Sequence, residues 1–167
     1  NDYEREYYVD LVQFTAFLKA TQPELIDTFD LGNASPKRHQ FLSRLQGEIS
    51  KRGVIDVLRK GIQHQAHSVD LFYRAPSPDN AKAVEHFKQN RFTVTRQLRY
   101  SRDETALSLD LGLFINGLPI ATFELKNSLT KQTIEDAVEQ YKLDRDPREK
   151  LFECGRCITH FAVDDAR

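Results

Sequence analysis

Leu-Ser-Leu-Asp-Leu-Gly-Leu-Phe-Ile-Asn-Gly-Leu-Pro-Ile-Ala-Thr-Phe-Glu-Leu-Lys, residues 107–126, is the stretch whose reading decides the fold. Two alternating runs flank Asn116-Gly117, and that dipeptide between alternating apolar residues predicts a β-hairpin. The register matters more than the hairpin itself. A two-residue turn pairs Ile115 with Leu118, sets Leu109 opposite Glu124 and mixes polar with apolar residues on one face. A three-residue loop, Asn116-Gly117-Leu118, pairs Leu113 with Ala121, Leu111 with Phe123 and Leu109 with Leu125. One face then becomes wholly apolar. A shift of one residue exchanges the two faces, so burial is expected to select the second register. Gly117 can supply the left-handed conformation that such a loop needs.

That register has a chemical consequence. It places Asp110 opposite Glu124, with Lys126 one step further along the same face. Opposed residues in a pleated pair have Cβ atoms about 5 Å apart, close enough for two carboxylates to share one cation. Hard oxygen donors of this kind suit Mg²⁺ or Mn²⁺ rather than zinc. A neighbouring ammonium can orient a water or stabilise charge growing on a phosphate. The plain alternative is a surface ion pair between Glu124 and Lys126, which the spacing alone does not exclude.

Working outward, Thr133 and Asp136 resemble a capping box. Ile134, Ala137, Val138 and Tyr141 then follow at helical spacing. Cys157–Val163 reads as a closing apolar strand. Upstream, Phe92–Tyr100 alternates as a strand, Ala81–Gln89 reads as a short helix, and Val54–Leu58 and Val69–Tyr73 as short strands. Ser35-Pro36 announces a helix with an N-cap and a proline at its first position; Phe41, Leu42, Leu45 and Ile49 form its apolar face, and Gly53 is its stop. An N-terminal helix is expected over residues 3–19, through Tyr7, Tyr8, Leu11, Phe14 and Leu18. The order predicts a mixed α/β fold built around one sheet.

The bulk numbers bound the function. A chain of 167 residues with 40% hydrophobic and 29% charged residues is an ordinary globular chain. The balance of 24 basic and 25 acidic residues, net charge -1, is not that of a protein that coats nucleic acid by bulk charge. A local basic groove beside an acidic metal site would cancel in that sum. No apolar run reaches the ~18 residues of a membrane span, and the charged start NDYEREYYVD is no signal peptide, so a cytoplasmic location is expected with no membrane partner. The chain contains no Met and begins at Asn1, which reads as a fragment. Cys154 and Cys157 form a C-x-x-C without the second pair that a zinc site requires, and are read as reduced thiols in a core.

Asp110, then Glu124-x-Lys126 on the hairpin partner, has the form of the PD-(D/E)xK nuclease motif. The likeness is wider than three residues. Leu109–Asn127, together with Arg52–Gly61, Asn90–Arg96, Asp136–Tyr141, Asp144–Glu149 and His160–Asp164, resembles the N-terminal nuclease domain of type I restriction endonuclease R subunits. The resemblance runs over roughly residues 14 to 167. It implies a restriction-endonuclease-like core, a central mixed sheet flanked by helices, as one endonuclease domain over residues 1–167. It implies Asp110, Glu124 and the Leu125 carbonyl as metal ligands, Lys126 as the catalytic cation, and Mg²⁺ or Mn²⁺ as cofactor. Gln140 answers to the Gln of the family's Gln-x-x-x-Tyr motif and is expected to contact DNA. The Tyr position holds Asp144, while Tyr141 is adjacent, so that role does not transfer.

The same resemblance implies double-stranded DNA as substrate, with methyltransferase and specificity subunits as partners. It also implies an ATP-driven motor beyond Arg167; no P-loop is present here, so ATP belongs to the longer protein. Arg91, Arg96, Arg99, Arg102, Lys131, Lys142, Arg145 and Arg148 surround the motif as candidate phosphate contacts. Glu48 on the second helix is a further acidic candidate, with pairing to an arginine as its alternative. Two other readings stay open: a silent DNA-binding or docking module of the same fold, and a PD-(D/E)xK nuclease of another defence or repair system.

Overall fold

The computed structural model describes residues 3–77, 79–101, 103, 107–126, 134–144 and 149–164. Along these residues the order is β1 (Tyr3–Glu4), β2 (Val9–Asp10), α1 (Leu11–Thr21), α2 (Glu24–Thr28), α3 (Pro36–Arg52), α4 (Val54–Lys60), β3 (Ile62–His64), β4 (His67–Val69), α5 (Ala81–Lys88), β5 (Phe92–Arg99), β6 (Ser108–Ile115), β7 (Leu118–Leu125), α6 (Ile134–Glu139), a π-helical turn Gln140–Asp144, a 3-10 turn Lys150–Phe152 and β8 (Thr159–Val163). The fold is mixed α/β. Its main sheet has the order β5-β6-β7-β8, antiparallel except for the parallel β7/β8 pair. The last crossover runs through α6.

The hairpin forms, with a turn tighter than the leucine pattern predicts. Ile115 pairs with Leu118, so only Asn116 and Gly117 make the turn. Both have positive φ, 50° and 80°, as a two-residue turn of this hand requires. The expected pairing of Leu113 with Ala121 and Leu111 with Phe123 is nevertheless present, because the register shifts next to Leu113/Phe114. One extra residue in β7, a β-bulge, does what the longer loop was expected to do.

Burial explains why the turn stays tight. Asn116 is buried, and its amide donates to Leu71 O (2.8 Å) and Asn90 Oδ1 (3.0 Å) while its Oδ1 accepts from Arg91 N–H (2.6 Å). Gly117 O accepts from Asp10 N–H at 2.8 Å, and a methyl group at Gly117 would stand 2.7 Å from Phe14 N. The hairpin tip is thus plugged into the start of α1.

Two cores follow. The larger joins α1, α3, α4 and the β3/β4 hairpin through Phe14, Phe17, Phe41, Leu45 and Val57, and takes in Leu118 from the hairpin tip. The smaller lies on one face of the main sheet: Tyr3, Tyr8, Leu98, Tyr100, Leu109, Phe114, Leu151 and Cys157. Here the apolar hairpin face departs from expectation. Leu109 leaves the row of Leu111 and Leu113 and joins the smaller core, since the β5/β6 pairing skips Gln97 and Asp110, and Gln97 has φ 50°. Leu111, Leu113 and Phe123 are only half-buried and Leu125 is exposed. They share the outer face with Phe92, Val94, Phe161 and Val163, all exposed, and Phe161 stacks on Phe123 at 4.7 Å.

Other departures have local causes. The N-terminal helix starts at Leu11, not at residue 3, because Asp10 caps it by accepting from Gln13 N–H (3.0 Å) and Tyr8 turns back with φ 53°. Val54–Leu58 is helix α4 rather than a strand, braced at i,i+4 by Arg52–Asp56 (2.7 Å) and Asp56–Lys60. Leu71–Tyr73 lies outside any strand, the closing strand starts at Thr159, and α2 is additional. The Ser35 cap accepts from Arg38 N–H at 3.2 Å as predicted. Thr133 lies outside the described residues.

Candidate active site

Asp110 sits at the irregular step of β6. Its Oδ2 accepts from the Leu125 backbone N–H (2.7 Å) and its Oδ1 from Gln97 Nε2 (3.0 Å), while Ser108 Oγ donates to Gln97 Oε1 (3.2 Å). The paired residues of β6 and β7 run as far as Leu111 and Phe123; Asp110 lies one residue beyond that pair on β6, and Glu124 one residue beyond it on β7. Where Leu125 would otherwise seek a main-chain acceptor, the Asp110 carboxylate takes its N–H.

Glu124, and Lys126 just past the end of β7, are bonded through their main chain toward β8. Glu124 is 3% exposed and pairs across the parallel ladder with Ala162 of β8; Lys126 is 9% exposed, and its main-chain N–H bonds Val163 O (2.7 Å). The Lys126 ammonium donates to Gln140 Oε1 at 2.6 Å. Gln140 opens the π-helical turn after α6, so the residue singled out from the family motif touches the residue singled out as the catalytic cation. The structure thus joins Asp110 to Leu125 and Lys126 to Gln140, with Glu124 between Leu125 and the last residue of β7 paired with β6.

The donor set can be tested against a divalent cation. Each Asp110 oxygen uses one lone pair and keeps another, Glu124 supplies a carboxylate withheld from bulk water, and the intervening peptide offers a carbonyl. Among the described residues no group of three or more His, Cys, Asp or Glu side chains could hold a metal. The candidate donors would be two carboxylates and a main-chain oxygen. That fits Mg²⁺, which commonly takes one or two carboxylates and keeps several waters, and does not fit zinc.

Glu48 stands apart from this group. It lies between Arg44 (3.0 Å) and Arg52 (2.9 Å), and the hydrogen bond from Arg52 holds its carboxyl below the usual range. Arg91 is likewise occupied, its side chain donating to Gln13 Oε1 (2.7 Å). Arg96, Arg99 and Lys142 are exposed; Arg102, Lys131, Arg145 and Arg148 lie outside the described residues. Of the two thiols, Cys157 is buried and pushed up to about 12 by that burial, whereas Cys154 is exposed. The core reading holds for Cys157 alone. Between them Arg156 is 1% exposed and donates to Tyr7 O at 3.0 Å, with its guanidinium 5.2 Å from the Tyr8 ring.

Sequence reasoning missed Gln97, Thr122 and His160. Nothing in their local spacing marks them; each acquires its partners from another element brought alongside by the fold. No helix among the described residues is long and apolar enough to cross a membrane. No solved structure matches this chain. A protein of Methanocaldococcus jannaschii, provisionally named a type I restriction enzyme MjaIXP endonuclease subunit, is 24% identical over 165 residues, which cover 93% of this chain and 15% of that protein. The family model described as type I restriction enzyme R protein N terminus matches residues 19–165. With nearly its whole length matched, the chain belongs to the type I restriction enzyme R protein N-terminal family.

Proposed function

We propose that this chain is the Mg²⁺- or Mn²⁺-dependent endonuclease part of a type I restriction enzyme, with a PD-(D/E)xK core that hydrolyses phosphodiester bonds of unmodified double-stranded DNA. One observation carries the reading: Lys126, directly after the strand that also binds Asp110, is buried like Glu124 and held by Gln140. A surface ion pair would not bury both groups. Asp110, Glu124 and the Leu125 carbonyl would hold the cation. When bound, it supplies Lewis-acid polarisation of a phosphoryl oxygen and lowers the pKa of a water. Lys126 is aimed by Gln140 so that its charge meets the negative charge that develops on the phosphate. Gln140 itself borders the site and can contact the DNA backbone. Arg96 and Arg99 supply phosphate attraction without base readout. Sequence choice would fall to a specificity subunit, modification to a methyltransferase subunit, and ATP-driven translocation to a motor in the longer polypeptide.

The silent-module reading draws on one observation, that both Asp110 oxygens already accept hydrogen bonds from the protein. Plasmid cleavage by the full restriction complex separates the two. Asp110→Asn, Glu124→Gln and Lys126→Ala should each lower cleavage by about a hundredfold or more, and calorimetry should show weakened Mn²⁺ binding in the first two. Cleavage and metal binding that survive Glu124→Gln would sink the nuclease assignment.

A further inference from the structure

Behind Lys126 lies a second polar cluster that none of the candidate roles uses. Thr122 is two residues before Glu124 on β7 and pairs across the ladder with His160 of β8. Its hydroxyl is 2.6 Å from His160 Nδ1 and 3.0 Å from the Tyr141 hydroxyl. Thr122 is buried, and His160 is shielded by the rings of Tyr141 and Phe152, at 5.4 and 5.3 Å. One threonine hydroxyl can donate once and accept as well, so it can serve both neighbours at the same time.

Tyr141 is also the residue after Gln140. The bond to Thr122 therefore fastens the π-helical turn to the sheet one residue away from the amide that holds Lys126. π-helical turns are rare and frequently found at functional sites. The Thr122 hydroxyl and the Lys126 ammonium are thus two contacts, one residue apart on the turn, that tie it to β7 and the residue after it.

We propose that His160, Thr122 and Tyr141 act as positioning residues, a cross-sheet pin that holds Gln140 against Lys126. This rests on the nuclease reading of Lys126 and adds to it a dependence of the cation's aim on a histidine of the next strand. His160 orients the Thr122 hydroxyl, Thr122 fixes Tyr141, and Tyr141 sets Gln140. None of the three touches the phosphate.

The test is a double-mutant cycle on turnover and DNA KM in the full restriction complex. Thr122→Val, Tyr141→Phe and Gln140→Ala should each lower kcat by roughly tenfold to a hundredfold, the scale of a displaced catalytic group, with DNA KM little changed in Thr122→Val and Tyr141→Phe. Thr122→Ser should restore the loss seen in Thr122→Val. Tyr141→Phe added to Gln140→Ala should cost nothing more, because its effect passes through Gln140; a purely structural role would multiply the two losses. Multiplying losses, or undiminished kcat in both Thr122→Val and Tyr141→Phe, overturns the pin. The parent reading fails separately, by cleavage that survives Glu124→Gln in the same assay.

Discussion

The two faces of the main sheet are built from the same strands and differ in almost everything else. The inner face carries Leu98, Tyr100, Leu109 and Phe114 in a closed core and, toward the other end, Thr122, Glu124, Lys126 and His160 in polar contact. The outer face carries Phe92, Val94, Leu111, Leu113, Phe123, Leu125, Phe161 and Val163, and Phe92 there is 65% exposed. By composition the outer face is the more apolar, and by burial it is the less protected. Apolar character alone does not say which side of a strand is the inside; packing partners do. The inner face has α6 and the Lys150–Phe152 turn against it, and these bring rings and a hydrophobic lid.

The sharpest way to break this comparison is to truncate one aromatic on each face. Phe114 is buried and meets Tyr3 edge-on at 5.7 Å. Phe114→Ala should cost about 3–5 kcal/mol in urea unfolding, from lost transfer energy and the cavity left behind. Phe92→Ala should stay within about 0.5 kcal/mol, as exposed substitutions usually do. Similar losses at both positions would show that the outer face is covered in solution and would void the contrast.

What the sequence revealed divides along the same lines. Ser35-Pro36, Asn116-Gly117 and the Ala81 helix were readable because each is decided by a few adjacent residues. Val54–Leu58 was not: its valines and isoleucine favour a strand, and the helix wins through ion pairs to Arg52 and Lys60 and packing of Val57 against α3. The bulge in β7 was hidden as well, since the leucine pattern specifies the final register without saying whether loop or strand absorbs the extra residue. In the site, Asp110, Glu124 and Lys126 were picked out by chemical type and spacing, and Gln140 by the family resemblance. Gln97, Thr122 and His160 were not, because a residue that holds another in place is identified by its neighbour in space.

The hairpin tip offers a second, smaller test, because there the two faces meet the helical layer. Gly117→Ala places a side chain at φ 80° and against Phe14 N and the Asp10 carbonyl. Left-handed strain costs on the order of 1–3 kcal/mol, and the crowding adds to it. A loss of about 2–4 kcal/mol is expected in the same unfolding assay. A neutral outcome would mean that the tip is not plugged into α1, and the tight turn would lose its explanation.

The smallest effect expected is a dependence on pH. Burial lowers the pKa of His160 below the ordinary imidazole value, so the folded state favours the neutral ring. The unfolded chain takes up a proton as pH falls through about 6.5, before the folded one does. The stability His160 contributes is therefore present above that value, and is lost as pH drops toward the depressed folded value. His64 carries the same sign, lowered first by burial and then by Arg44 and His67, but it lies in β3, beside the larger core and away from the main sheet. Comparing unfolding midpoints at pH 7.5 and 5.0 separates them. His160→Gln should shrink the acid loss and leave the His64 share. Acid should then also loosen the contact of α6 with the sheet, read by hydrogen exchange at Tyr141, while the amides of β5, beside the outer face, stay as protected as before. An acid loss unchanged by His160→Gln would place the histidine in a wetter setting than its contacts with Thr122, Tyr141 and Phe152 describe, and the inner face would lose its claim to be the closed one at that end.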